Sequence, residues 1–147
     1  MRPEVVAIVG RSGVGKTYLV ESLLRKLTFA GLTIDTVKHT HHPVFQDSPG
    51  TDSSLHKRAG ARRTVLTGPG FCTVFTAKDL SLKDVLGLSG PEVDLVLVEG
   101  FKSESVRKIE VVRGGEPLLA DSEVWMTVTS EQSDQVAEAI LALLKDA

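Results

Sequence analysis

The sequence predicts a three-layer α/β domain, a mainly parallel sheet with helices on both faces, and three observations carry that prediction. Short apolar runs, such as Val5–Val9 and Leu95–Val98, suit strands buried on both sides. Between them lie stretches with helical spacing, above all Leu19, Val20, Leu23, Leu24 and Leu27. A glycine-rich octet, Gly10 to Thr17, joins the first run to the first helical stretch.

The elements follow in order. Glu4 to Val9 reads as a buried strand, broken at Gly10. Lys16 to Ala30 reads as an amphipathic helix, with Gly31 at the position just past its end. Leu32 to Val37 is the second strand, which completes a β-loop-α-β unit. Lys38 to Asp52 has little periodicity and reads as a long polar loop holding His39, His41, His42, Pro43 and Asp47. A short helix is expected over Ser53 to Ala59. Arg63 to Thr67 and Cys72 to Thr76 form a hairpin around Gly68-Pro69-Gly70. Leu80 to Leu88 reads as a short helix, then Val93 to Val98, Ile109 to Val112 and Val124 to Val128 as strands. A helix over Glu131 to Lys145 closes the chain, with Val136, Ile140, Leu143 and Leu144 inward.

At 147 residues, 41% hydrophobic and 24% charged, the chain suits one compact domain over 1–147, and wholesale disorder is not expected. Cys72 is the sole cysteine, so neither an intrachain disulfide nor a multi-cysteine zinc site can form. A net charge of −2 argues against a protein that coats nucleic acid, and no apolar run approaches the roughly 20 residues that span a membrane. The N-terminus enters a strand directly, without the apolar segment of a secretory leader, so a cytoplasmic protein is expected. Two basic clusters, Lys57/Arg58/Arg62/Arg63 and Lys102/Arg107/Lys108/Arg113, read as solvated faces or as ligand contacts.

Gly10-Arg11-Ser12-Gly13-Val14-Gly15-Lys16-Thr17 matches G-x-x-x-x-G-K-[ST] in full, between a strand and a helix as that motif requires. It points to a P-loop NTPase fold. Glycines let a loop turn its N–H groups onto a polyphosphate, and the helix behind adds its positive dipole end. Gly10, Ser12, Gly13, Val14 and Gly15 are therefore candidate phosphate-binding positions. Lys16 would reach the terminal phosphates, and the Thr17 hydroxyl would ligate Mg²⁺. Leu95 to Glu99 delivers a carboxylate to the same sheet edge, where Glu99 would hold the metal or polarise an attacking water. Lys16 and Glu99 are the catalytic candidates, and Thr17 and Glu99 the metal ligands. Asp94 lies at the other end of that strand and reads as a turn or capping residue.

The loop beyond the second strand adds Lys38 and His39 as candidate nucleotide contacts, Lys38 as the end of a strand adjacent to the phosphate loop. His39, His41, His42 and His56 read as ordinary loop residues, as nucleotide or partner contacts, or as metal ligands. The expected base-side loop is Thr127 to Ser130, after the last strand. Its composition does not choose guanine over adenine.

Taken in order, GRSGVGKT, VKHTHH, DSPGTDSSLHKRAGA, DLVLVEGFK and KIEVVR resemble the molybdopterin-guanine dinucleotide biosynthesis protein B family over about residues 4 to 130. The resemblance implies a GTP- and Mg²⁺-binding adaptor with weak GTPase activity. It would act beside the guanylyltransferase that attaches GMP to molybdopterin, as a homodimer and without nucleic-acid or membrane partners. His39, His41, His42, Asp52, Ser53, His56, Gly60, Gly100, Phe101 and Lys102 match family blocks. Two positions depart from the pattern. Thr51 stands where relatives carry lysine, and Tyr18 replaces a threonine, a change expected to bear on helix packing only. A small-molecule kinase with the same loop, and Arg58 to Arg63 as a lid, is the competing reading. A nucleotide-gated interaction module, whose histidine loop orders around the γ-phosphate, is a third.

Overall fold

The structure, a computed structural model, describes residues 2–42 and 47–146. Residues 43–46 of the expected polar loop, Pro43 among them, lie outside the described residues. The strands are β1 (Glu4–Val9), β2 (Ile34–Lys38), β3 (Arg63–Gly68), β4 (Phe71–Thr76), β5 (Leu95–Glu99), β6 (Arg107–Val111) and β7 (Met126–Val128). The helices are α1 (Lys16–Phe29), α2 (Asp52–Arg58), α3 (Leu82–Leu86) and α4 (Ser133–Lys145). The chain folds as two compact units, Met1–His39 with Val85–Ala147, and Thr40–Asp84.

The first unit is built on a five-stranded sheet of order β2-β5-β1-β6-β7, in which every neighbouring pair runs parallel. The apolar runs occupy its centre because only there are both faces covered. Val6, Ala7 and Ile8 of β1 and Leu95 to Val98 of β5 are wholly buried. On one face α1 packs beside α4, and Leu19, Leu23 and Leu27 form a single core with Val136, Ile140, Ile8, Leu97 and Ile109. Each such leucine contributes about 1.5–3 kcal/mol on leaving water, which fixes the helix against the sheet. Helix α1 closes with the Leu32 N–H on the Leu27 carbonyl (3.1 Å) and the Gly31 N–H on the Thr28 carbonyl (3.0 Å), so the chain turns at the glycine the sequence places there.

Strand order corrects one expectation. Lys38 does not end a strand adjacent to β1, because β5 lies between β1 and β2. The register explains how Lys38 still matters: Lys38 pairs with Glu99, and Glu99 with Ile8, so three strand ends finish level. At the opposite edge Asp94 ties strand starts together, accepting the Thr33 N–H at 2.7 Å through Oδ2 and donating its own N–H to the Thr33 carbonyl at 2.9 Å. That is the capping role its position predicts. The other sheet face carries Glu110, 1% exposed, whose carboxylate accepts the Leu118 N–H at 2.5 Å and the Leu119 N–H at 3.5 Å. The buried side chain thereby holds the 112–120 loop on the sheet.

The second unit holds α2 and the antiparallel β3–β4 hairpin, which pairs Gly68 with Phe71 across Pro69-Gly70. Thr51 is the N-cap of α2: its hydroxyl accepts the Ser54 N–H at 3.4 Å and lies 3.0 Å from Asp47 Oδ1. Ser53 donates to Asp47 Oδ2 at 2.7 Å and the Lys57 ammonium stands 3.3 Å from it. These bonds, the Ser53 hydroxyl foremost, hold the Asp47 carboxyl below its ordinary range. Thr51, one of the two departures named above, thus serves as a helix cap. Among the described residues no helix is long and apolar enough to cross a membrane.

Candidate functional site

Residues 10–17 leave the carboxyl end of β1 and enter α1, and packing dictates their composition. At Gly10, with φ +149°, a Cβ would fall 2.5 Å from the Val111 carbonyl oxygen, so the loop starts pressed against the end of β6. At Gly15, with φ +99°, a Cβ would fall 2.6 Å from Ser130 Cβ. No other residue type fits either place without moving backbone or loop. Gly15 is also the N-cap of α1 and makes no side-chain cap, which leaves the first N–H groups of the helix to other acceptors.

The side chains converge on the loop. Lys16 Nζ donates to the Gly10 carbonyl at 2.9 Å and the Arg11 carbonyl at 2.8 Å, so its ammonium is folded back over the loop. Thr17 Oγ1 donates to Glu99 Oε1 at 2.9 Å, and Lys38 Nζ stands 3.3 Å from the same oxygen. Glu99 is largely buried and Lys38 mostly exposed, so the carboxylate is the fixed member of the set. His39 adds its N–H to the Glu99 carbonyl at 2.9 Å, extending the strand pairing by one residue. Its ring lies 4.3 Å from that of Phe101, tilted by 39°. Phe101 adopts φ 55°, the left-handed region that costs a bulky residue energy. The Gly100 N–H donates to Ile8 O at 3.1 Å and anchors this turn to β1.

The structure therefore brings together Lys16, Thr17, Lys38 and Glu99, with the backbone of Gly10, Ser12, Gly13, Val14 and Gly15 around them and His39 beside them. His41, His42, Asp52, Ser53, His56, Arg58, Gly60, Arg62 and Arg63 belong to the second unit. Among the described residues no three His, Cys, Asp or Glu side chains form a metal cluster. One carboxylate beside one hydroxyl is instead the donor set that suits Mg²⁺, which keeps waters and takes phosphate oxygens to complete its shell.

Beside the loop opens a cavity of about 460 Å³, lined by Gly13 to Gly15 and Tyr18, by Val112 to Gly114, and by Thr129 to Glu131. The expected base-side loop supplies Thr129 and Ser130. Tyr18 corrects an expectation: it does not serve helix packing, because Leu19 and Leu23 take the buried face and leave Tyr18 59% exposed on the cavity wall. Arg113 belongs to the second basic cluster that the sequence marks, whereas Gly114 and Glu131 escaped sequence reasoning as site residues. The Gly114-Gly115 break just after a strand end was the signal that could have marked Gly114.

A parallel sheet with a glycine-rich strand-to-helix loop and a neighbouring strand-end carboxylate defines an α/β protein with a P-loop-like fold. Residues 5–131 match the family model described as molybdopterin guanine dinucleotide synthesis protein B, MobB, and the chain belongs to that family. It is 34% identical over 116 residues to the Escherichia coli (strain K12) molybdopterin-guanine dinucleotide biosynthesis adapter protein, covering 76% of this chain and 66% of that one. The Haemophilus influenzae adapter protein of the same name is 38% identical over 109 residues, covering 71% of this chain and 61% of its own length. The chain thus spans about two thirds or less of these relatives. A solved MobB homologue from Bacillus stearothermophilus superposes with a TM-score of 0.66 at 26% identity, covering 97% of this chain and 99% of that one.

Proposed function

We propose that this protein binds GTP with Mg²⁺ at the loop of residues 10–17 and serves in the cytoplasm as an adaptor in molybdopterin guanine dinucleotide biosynthesis. It would work beside the guanylyltransferase that attaches GMP to molybdopterin. The observation that carries the reading is the 2.9 Å bond from Thr17 to Glu99, the two donors that would hold the ion, at the foot of a loop whose lysine is already over it. Bound Mg²⁺ would supply charge neutralisation on the phosphate oxygens. Lys16 would exchange its two carbonyl acceptors for phosphate oxygens, and the loop and helix N–H groups would orient the triphosphate. Glu99 would align a water on the terminal phosphate, giving slow hydrolysis.

The reading also includes a homodimer. Its support is the β3–β4 hairpin, a two-stranded sheet whose faces each carry an exposed apolar pair, Val65 with Val74 on one and Leu66 with Phe71 on the other, surface of the kind a second copy covers.

Calorimetric titration with GTP and with ATP in Mg²⁺, on the parent protein and on Lys16→Ala, tests this. GTP binding that Lys16→Ala abolishes, with an unchanged circular dichroism spectrum, is the expected result. Unchanged affinity in the variant would remove the loop from the site, and rapid multiple-turnover phosphate transfer to a small acceptor would replace the adaptor with a kinase. Sedimentation of the same samples gives the oligomer mass.

A further inference from the structure

We infer that the cavity beside the glycine-rich loop is a purine subsite, in which the Tyr18 ring is the stacking face and the Glu131 carboxylate selects guanine. The inference rests on the GTP reading above and adds the groups that would recognise the base.

Position comes first. Gly13, Val14 and Gly15 line both the phosphate-loop turn and the cavity, and Ser130 touches Gly15 so closely that a Cβ there would sit 2.6 Å from it. Loop and cavity therefore share a wall, and a nucleotide whose phosphates lie along residues 10–17 leads its base into this space. The volume of about 460 Å³ falls within the range of small-ligand sites.

The lining chemistry is specific. Tyr18 follows the last residue of the octet on the first turn of α1, and the inward pull of Leu19, Leu23 and Leu27 turns its ring away from the core. An exposed aromatic ring on a cavity wall, carried by a rigid helix, is a platform for a planar ring. Opposite in sequence, the 129–131 loop is held in one shape by Gln132. Its Oε1 accepts the Thr129 N–H at 2.7 Å, its N–H reaches the Thr129 carbonyl at 3.2 Å, and its amide nitrogen donates to Gln135 Oε1 at 2.6 Å. The loop thus presents Glu131 from a fixed frame. An ionised carboxylate only accepts hydrogen bonds. Guanine offers two adjacent donors, N1–H and the 2-amino group. Adenine offers an acceptor at N1, which a carboxylate repels. Glu131 therefore favours guanine, and it does so without an N-K-x-D sequence.

Calorimetry with GTP, ATP, xanthosine triphosphate and inorganic tripolyphosphate, each with Mg²⁺, tests the inference on the parent chain, Tyr18→Ala, Tyr18→Phe and Glu131→Gln. Tyr18→Ala is expected to weaken GTP about 10- to 100-fold, the size of a lost base stack, and Tyr18→Phe to keep it. Glu131→Gln is expected to weaken GTP and to strengthen xanthosine triphosphate, whose 2-oxo group accepts from the new amide. Tripolyphosphate should bind all four proteins alike. If Tyr18→Ala leaves GTP affinity unchanged relative to tripolyphosphate, and Glu131→Gln leaves the ratios among the three nucleotides unchanged, the purine subsite is wrong and the phosphate loop stands. If the parent chain binds neither GTP nor tripolyphosphate, both readings fall. Both side chains are exposed, and circular dichroism of each variant checks that the fold is kept.

Discussion

Glu99 serves two partners at once, accepting from Thr17 at 2.9 Å and facing the Lys38 ammonium at 3.3 Å. A glutamine there keeps the shape and loses the charge, so under the proposed function Glu99→Gln should slow single-turnover GTP hydrolysis more than it raises the calorimetric Kd. Equal losses would make Glu99 a binding group alone. Lys16, Thr17 and Glu99 were legible in the sequence because the octet and the strand end fix them locally. Lys38 was placed on the right sheet edge and beside the wrong strand, since strand order depends on contacts far apart in sequence. Tyr18 was misread although its direction is implied by its neighbours: with Leu19, Leu23 and Leu27 inward, residue 18 lies on the flank of the helix.

Element boundaries followed the sequence where apolar periodicity was local and shifted where side chains took over the backbone groups. Strand β1 runs over Glu4–Val9 as expected, but β2 begins at Ile34 rather than Leu32. Leu32 is spent closing α1, and the Thr33 N–H is held by Asp94. Helix α4 begins at Ser133 rather than Glu131, because Gln132 closes a turn onto Thr129 and leaves Glu131 on the cavity wall. The 112–120 loop depends on Glu110 in the same manner. Glu110→Ala leaves two amides without their acceptor and should cost about 1–3 kcal/mol, read from the urea midpoint, with faster hydrogen exchange at Leu118 and Leu119. In the second unit the Asp47 carboxyl has a lower pKa folded than its ordinary value, 3.8. Its stabilisation of α2 is complete above that ordinary value and fades as pH falls through the folded one. Protection factors of the α2 amides, taken relative to intrinsic exchange at each pH, should therefore fall on acidification below about pH 4, and Asp47→Asn should remove that dependence.

Across the whole molecule, the parallel α/β class was readable from alternation alone, whereas the order β2-β5-β1-β6-β7 and the separate β3–β4 sheet were not. Alternating apolar runs say that strands are buried on both faces and are silent about which strand lies beside which. The central strands carry the stability of the first unit. Leu97, wholly buried between α1 and the sheet, should cost about 2–5 kcal/mol as Leu97→Ala, seen as a lower urea midpoint for the first unit. The near-touching of Gly15 and Ser130 reaches further than packing. It locks two distant stretches of the chain into joint heredity: a bulkier amino acid at 130 would push on the helix start, and any branch at 15 would push back. Whoever grafts a new ligand preference onto this scaffold must keep both places small and look for diversity one step to either side.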